Sequence, residues 1–147
     1  MGGAGSGRWG KHNKKIAVED CLCLDMKLLN SALAHGSGYN GAVSWFRDRE
    51  RFAWLGYAIR DSDEGLVLHL EYSKIFQAKK RSVDCIIRVA RCSVHFGGIR
   101  WYFLCPLIVG GTPCRRRCAK LLLPRRSLYF GCRTCHNLTY SSSQKSG

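Results

Sequence analysis

Four cysteines near the C-terminal end of the chain have the spacing of a metal site. Cys132 and Cys135 form a C-x-x-C pair, and they are preceded by Cys105 and Cys114, which form a longer pair. A zinc ribbon uses two such pairs, called knuckles, and each knuckle places two sulfurs on one side of a tetrahedral ion. The sequence therefore predicts one structural Zn²⁺ ion held by these four cysteines, with an unusually long first knuckle.

Two further residues compete for a place at the predicted zinc site. Cys118 follows Cys114 after three arginines, and the chain can reach the ion from either cysteine. His136 is adjacent to Cys135, and a residue next to a ligand usually points away from the ion. Cys118 is therefore the alternate ligand, and His136 is a weaker alternative.

The remaining cysteines have simpler interpretations. Nine cysteines are an odd number for a disulfide framework, and cytosolic thiols are kept reduced. Cys85 has apolar neighbours, as Cys21 and Cys23 do, and a free cysteine in such surroundings packs as a small hydrophobe. Cys92 and His95 have a C-x-x-H spacing that could form a second metal site with Cys85, but cross-strand packing explains this spacing as well.

The positive charge is concentrated in the same part of the chain. The formal net charge is +14, and residues 85–147 contain 11 Lys/Arg and no Asp/Glu, whereas residues 1–84 contain 13 Lys/Arg and 10 Asp/Glu. Such a surface attracts polyanions, and the guanidinium group is suited to paired hydrogen bonds with phosphate and guanine. We therefore predict binding to DNA or RNA through the cations near the predicted zinc site. These cations are Arg115, Arg116, Arg117, Lys120, Arg125, Arg126 and Arg133.

The sequence contains no catalytic motif. Carboxylates end at Asp84, and none of the motifs of serine hydrolases, metalloproteases, P-loop proteins or dinucleotide-binding proteins is present. The deaminase signature needs an H-x-E upstream of its C-x-x-C, and this element is missing. We expect a binding protein without catalytic activity and without a small-molecule substrate. The second hypothesis is an adaptor whose basic zinc ribbon docks on an acidic protein partner.

The apolar periodicity predicts an α+β fold that is mostly β. A short strand is expected within residues 16–24, followed by a helix that Asp25 caps and that ends at His35 and Gly36. An antiparallel sheet is expected from strands in residues 43–46, 52–60, 66–72, 83–90 and 99–104. The runs 120–123 and 128–130 are predicted to form the hairpin of the ribbon.

One strand of this predicted sheet contains the aromatic run from Trp101 to Phe103, beside Arg100. Alternate residues of a strand face opposite sides, so one side of this run must belong to the core. The other side is a candidate stacking surface for bases, as in proteins that bind single strands.

The composition divides the chain into three parts. Residues 1–15 are predicted to be a disordered basic arm, residues 16–99 a small α+β domain, and residues 100–147 the zinc ribbon with a short polar tail. No apolar run reaches the length of a membrane span, and the N-terminus lacks a hydrophobic leader. We therefore expect a cytoplasmic protein that does not interact with membranes.

Five stretches of the chain form a recognisable set of motifs: GSGRW at 5–9, VEDCLCLD at 18–25, HFGGIRWYFLCP at 95–106, CRRR at 114–117 and YFGCRTCHNLTY at 129–140. Together they resemble an uncharacterised family of short bacterial and phage-associated proteins with a C-terminal zinc ribbon. Members usually read C-G-R-R at the fourth of these stretches and have an aliphatic residue in place of Cys118. The resemblance therefore implies that Cys114 is the ligand. It also implies a bacterial, mobile-element origin, for which we expect a regulatory role, and it assigns no activity.

Overall fold

The computed structural model describes residues 17–139, without the side chain of Glu19. The predicted basic arm lies outside the described residues, as does most of the polar tail. The fold is α+β and mostly β, with one curled antiparallel sheet and little helix, which confirms the predicted fold class. Within the described range, no helix is both long enough and apolar enough to span a bilayer.

The described residues form ten strands and one short α-helix. The strands are β1 Leu22–Asp25, β2 Asn40–Arg47, β3 Glu50–Ser62, β4 Gly65–Phe76, β5 Lys79–Ser93, β6 Ile99–Leu104, β7 Ile108–Val109, β8 Thr112–Pro113, β9 Arg117–Cys118 and β10 Lys120–Leu123. Six strands form the main sheet in the order β2-β3-β4-β5-β6-β9, and all neighbours are antiparallel. Two small sheets pair β1 with β10 and β7 with β8.

The core lies against one face of the main sheet. Leu68 and Leu70 of β4 are fully buried on this face, and their partners across the strand pairs include Ile59 and Ile87, which are buried as well. Side chains alternate along a strand, so His69 between the two leucines projects from the opposite face. The alternation of apolar residues in the sequence therefore determines which face of the sheet is covered.

The N-terminal segment confirms the predicted cap and stop signals and, from Leu22 onward, the predicted strand. The Asp25 carboxylate accepts a hydrogen bond from the Lys27 backbone N–H, at 3.0 Å, at the start of a 3-10 turn. Helix α1 (Asn30–His35) follows and ends at Gly36, whose φ of 86° favours glycine. The strand expected within residues 16–24 begins only at Leu22, because Val18–Asp20 forms a 3-10 turn.

The predicted ribbon hairpin is wrong in its second strand. β10 forms as expected but pairs with β1, and residues 128–130 form no strand. Only Leu122 and Gly131 exchange backbone hydrogen bonds, at 2.8 and 3.0 Å. The Lys74 ammonium donates to the carbonyls of Pro124, Arg125 and Ser127, which holds the turn after β10 against β4.

The last part of the chain packs firmly against the main sheet. The Phe130 ring is fully buried, stacks at 6.3 Å on Trp45 of β2 and meets the edge of Tyr72 of β4 at 5.5 Å. The Tyr72 hydroxyl donates a hydrogen bond to the Leu128 carbonyl. β6 spans the predicted domain boundary between residues 99 and 100 and pairs along its length with β5, which lies before the boundary. The predicted ribbon and the sheet therefore share one core cluster.

We predict that Phe130→Ala lowers the free energy of unfolding by about 3–5 kcal/mol, because it removes a buried ring and leaves a cavity between the strands. The neighbouring Tyr129 is 49% exposed, so Tyr129→Ala is the matched control and should change stability by less than about 1 kcal/mol. Urea unfolding followed by circular dichroism measures both values. Equal effects of the two substitutions would contradict the packing described for Phe130.

Candidate metal centre

The two predicted knuckles meet in the structure. Cys105, Cys114, Cys132 and Cys135 have sulfur atoms that all lie within 4.8 Å of one another, a group that could hold a metal ion. In a tetrahedral site with metal–sulfur bonds of about 2.3 Å, neighbouring sulfurs are about 3.8 Å apart. The Sγ atoms of Cys114 and Cys132 are separated by 3.8 Å. The donor set therefore fits a tetrahedral metal ion.

A small β-hairpin explains how the long first knuckle closes. β7 and β8 pair through a turn at Gly110 and Gly111, whose φ angles are 60° and 82°. Positive φ at both central residues is typical of the tight turn that connects twisted strands, and glycine adopts it without steric cost. The residues between Cys105 and Cys114 are folded into this hairpin, so its two ends lie side by side.

Backbone hydrogen bonds fix the base of this hairpin. The Cys114 N–H donates to the Leu107 carbonyl at 2.9 Å, and the Arg115 N–H donates to the Cys105 carbonyl at 3.1 Å. The Cys105 N–H donates in turn to the Arg116 carbonyl at 2.9 Å. The inserted residues therefore lengthen the loop without separating the two sulfurs.

Backbone N–H groups of the second knuckle donate hydrogen bonds to cysteine sulfur atoms. The Cys135 N–H points to Cys132 Sγ at 3.4 Å, and the Cys132 N–H points to Cys105 Sγ at 3.2 Å. Such N–H donors stabilise sulfur in its anionic form, which is the form that binds metals. The second of these bonds also joins the two knuckles, because its donor belongs to one and its acceptor to the other.

The cysteines of the group differ in their affinity for protons. Burial raises the pKa of the Cys105 thiol to about 11, and burial also raises the pKa of Cys135. Burial acts in the same direction on Cys114, but hydrogen bonds from the Arg116 backbone and from the neighbouring thiols lower its pKa to about 7. A metal ion must therefore displace protons from buried thiols, so metal binding weakens as the pH falls.

The structure leaves both alternate ligands outside the sulfur group. The Cys118 thiol donates to the Arg116 carbonyl at 3.2 Å, and burial raises its pKa to about 12. The His136 ring donates from Nε2 to the Tyr129 carbonyl at 3.0 Å, and its Nδ1 lies 3.5 Å from the Ser127 hydroxyl. Both side chains therefore bind neighbouring segments of the chain.

The remaining cysteines form no comparable group among residues 17–139. None of the nine cysteines is in a disulfide in the structure. Cys92 Sγ accepts a hydrogen bond from the Arg117 guanidinium at 3.3 Å, and no metal-compatible group in the described range combines Cys92 with Cys85 and His95. Cys92 lies in β5, whereas His95 lies in the exposed 3-10 turn after it.

A second cluster of potential ligands was missed in the sequence. His69 and Glu71 are two residues apart on β4, and Asp84 of β5 lies directly opposite Glu71. The His69 ring contacts the Asp84 carboxylate, and both acidic residues of the cluster are exposed. The two-residue spacing on one strand was a detectable signal, but the pairing with Asp84 depends on the strand register.

The predicted nucleic-acid contacts are all at the surface. Arg115, Arg116 and Arg117 follow the first knuckle, Arg133 lies inside the second, and Arg125 and Arg126 lie in the turn after β10; these side chains are exposed, as is Lys120. Lys120 lies opposite Asp25 in the β1–β10 pair. The arginines therefore form the larger part of this basic surface.

The predicted stacking surface at Trp101–Phe103 is not exposed. Phe103 is fully buried, and Trp101 and Tyr102 are half-buried. The most exposed aromatic side chains of the sheet instead lie on β2 and β3, where Trp54 is 55% exposed and Phe52 is 47% exposed. The three aromatic residues and three arginines within residues 46–54 are the sequence signal that points to this second surface.

Comparison of the chain with protein families, with curated proteins and with solved structures gives no match. The family resemblance drawn from the sequence motifs therefore stays an expectation. The function has to be argued from the residues of the site and their surroundings.

We predict one metal ion per chain, and we predict that Cys132→Ser and Cys135→Ser each abolish its retention, because a hydroxyl is a poor substitute for a thiolate. Cys114→Ser should weaken retention strongly. Cys118→Ser is the matched control and should retain the ion. Native mass spectrometry of protein from zinc-replete medium measures the stoichiometry. Loss of metal from the Cys118 variant, with retention by the Cys114 variant, would contradict the predicted ligand set.

A further prediction concerns the turn after Cys114, where Arg115 has a φ of 53° in the left-handed region. Arg115→Gly should raise the free energy of unfolding of the metal-loaded protein by about 0.5–1 kcal/mol, because glycine relieves a strain of about 1–2 kcal/mol and costs about 0.5–1 kcal/mol of chain entropy. Arg115→Ala keeps the strain and is the matched control. Urea unfolding that ranks the glycine variant at or below the alanine variant would contradict this turn geometry.

Proposed function

We propose that the protein binds nucleic acid through a basic surface that a structural zinc ion holds in shape. The observation that supports this proposal is the group of four cysteine sulfurs with exposed arginines directly next to it in the chain. A metal that joins the two knuckles would fix the backbone from which these arginines project. The metal would therefore contribute to binding by positioning side chains, without contacting the nucleic acid itself.

Zinc is the ion that fits this donor set best. Tetrahedral sites made of four sulfurs hold zinc or iron, and structural zinc sites are closed by four protein ligands. Four thiolates would leave no coordination position for a substrate, which favours a structural role over a catalytic one. Structural zinc contributes roughly 10–16 kcal/mol in small zinc-finger peptides, so it would dominate the stability of the short strands around it.

The region needs such a contribution, because its regular structure is sparse. β7, β8 and β9 contain two residues each, and the side chains of β7 and β8 are exposed. Ordering a residue costs about 1–2 kcal/mol of backbone entropy, and these strands bury little apolar surface in return. A bound metal supplies the missing free energy.

The charge near the metal centre favours an anionic partner. Four thiolates and one Zn²⁺ carry a charge of −2, whereas residues 85–147 contain 11 Lys/Arg and no Asp/Glu. The net charge of this part therefore stays strongly positive after metal binding. A surface of this kind binds phosphate groups and releases counterions from the nucleic acid.

We predict that the triple change of Arg115, Arg116 and Arg117 to alanine lowers both the affinity for nucleic acid and the slope of log K against log salt. The slope should fall by about one unit for every phosphate that the variant no longer neutralises. The matched control is the triple change to lysine, which keeps the charges and should therefore keep most of the slope. Fluorescence anisotropy with labelled DNA and RNA over a salt series measures both quantities.

An unchanged affinity of the alanine variant would contradict the assignment of the binding surface. The absence of binding at about 50 mM salt, where electrostatic association is strong, would contradict nucleic-acid binding as a whole. The basic ribbon would then fit the adaptor hypothesis, in which an acidic protein surface takes the place of the phosphates.

A further inference from the structure

The main sheet splits into two diverging hairpins at one end. β3 pairs with β4 only from Gly56 and Glu71 onward to the connecting turn. Before this point, residues 50–55 pair with β2 alone, and residues 72–76 of β4 pair with β5 alone. A cleft of about 1460 Å³ lies between the two hairpins and extends to Phe130 and Arg125 at its base. Its volume exceeds the 300–1,000 Å³ of ordinary small-molecule pockets, which indicates an extended ligand.

The β2–β3 hairpin presents aromatic rings in this cleft and at its rim. Phe52 and Trp54 line the cleft and are 47% and 55% exposed, and Phe46 near the tip is 63% exposed. Two arginines lie over these rings: the Arg47 guanidinium is 4.6 Å from the centre of Phe52, and that of Arg51 is 5.7 Å from the centre of Trp54. Exposed apolar patches of this kind usually mark a binding site.

The β4–β5 hairpin supplies the positive charge. Residues 72–83 contain Lys74, Lys79, Lys80 and Arg81 and no carboxylate. Lys79, Lys80 and Arg81 are exposed, whereas the Lys74 ammonium is taken up by the carbonyls at the base of the cleft. One hairpin therefore presents rings, and the facing hairpin lines the cleft with Lys80. Lys79 and Arg81 alternate with Lys80 along β5 and are exposed on the other face of the hairpin tip.

The carboxylates of the cleft limit where an anionic ligand can lie. Glu71 and Asp84 line it near the point where the two hairpins join, and Asp20 lines it as well. Phosphates would be repelled from these groups and attracted to the outer part of the β4–β5 hairpin. A ligand that combines flat apolar groups with phosphates fits this distribution of rings and charges.

We propose that the cleft binds single-stranded nucleic acid, with bases stacked on Phe52 and Trp54, a phosphate on Lys80, and the strand continuing over the hairpin tip to Lys79 and Arg81. The inference deepens the proposed function and rests on it. Proteins that bind single-stranded nucleic acid without sequence preference use exposed aromatic rings flanked by cations, because every base has a face that can stack on a ring. Bases inside a duplex are already stacked on each other, so these rings gain nothing from a duplex.

The experiment compares binding of a labelled twelve-nucleotide oligothymidine and of a labelled twelve-base-pair duplex by fluorescence anisotropy. The double substitution Phe52→Leu and Trp54→Leu keeps apolar side chains at both positions but removes the stacking faces. It should weaken binding to the oligothymidine at least about fivefold per ring and leave both its salt slope and the duplex affinity unchanged. Phe96→Leu is the matched control, because this fully exposed ring lies outside the cleft.

A second variant tests the β4–β5 hairpin, and a thermal unfolding measurement checks that all variants are folded. The change of Lys79, Lys80 and Arg81 to alanine should lower the salt slope for the oligothymidine by about one unit for every phosphate that these side chains neutralise in the native protein. Thermal unfolding followed by circular dichroism should give the same midpoint for all variants and the native protein, because the altered side chains are exposed.

The outcomes separate the two proposals. A native protein that binds neither probe at low salt overturns the proposed function, and this inference with it. A native protein that binds both probes, with the leucine variant equal to it on the oligothymidine, overturns only the inference. The unpaired edges of β3 and β4 would then favour an extended peptide as the occupant, since such edges can accept a further strand.

Discussion

The distance between the sulfur atoms of the two knuckles is the constraint on which the C-terminal part of the structure depends. Four sulfurs within 4.8 Å of one another bring together the β7–β8 hairpin and the turn from Cys132 to Cys135. Thiols attract each other weakly, and the two-residue strands around them cannot offset the entropy of ordering this segment. In our proposal a zinc ion supplies the missing free energy, and the arginines gain fixed positions as a consequence.

The metal centre is also connected to the main sheet. Phe130 packs against the rings of Trp45 and Tyr72, and the next residue, Gly131, exchanges backbone hydrogen bonds with Leu122. The same strand that supplies Tyr72 supplies Lys74, which binds the carbonyls after β10. If the two knuckles lost their ordered structure, the contacts of Phe130 at the base of the cleft between the two hairpins would therefore change as well. In our account, the basic surface at the metal centre and the cleft belong to one continuous binding face.

The parts that were predictable from the sequence depend on local chemistry. The Cys132–Cys135 pair is a turn motif, Asp25 and Gly36 mark the bounds of the helical segment, and the alternation in β4 follows from its own residues. The failures depend on distant partners. Residues 128–130 form no strand, and the chain here is held by partners more than fifty residues earlier: Lys74 binds the Ser127 carbonyl and Tyr72 binds the Leu128 carbonyl.

The cleft could not be predicted for a similar reason. The aromatic and arginine residues before Gly56 were visible in the sequence, but their exposure follows from the point at which β3 separates from β4. The burial of Phe103 likewise depends on its pairing with Val89 and Cys118 in the neighbouring strands. Strand register, which depends on partners far away in the sequence, decides both cases.

X-ray absorption spectroscopy at the zinc edge, on protein purified from zinc-replete medium, tests the central claim most directly. The account predicts a single coordination shell of four sulfurs at about 2.3 Å. A shell with nitrogen or oxygen ligands, with fewer than four sulfurs, or a protein without zinc would contradict it.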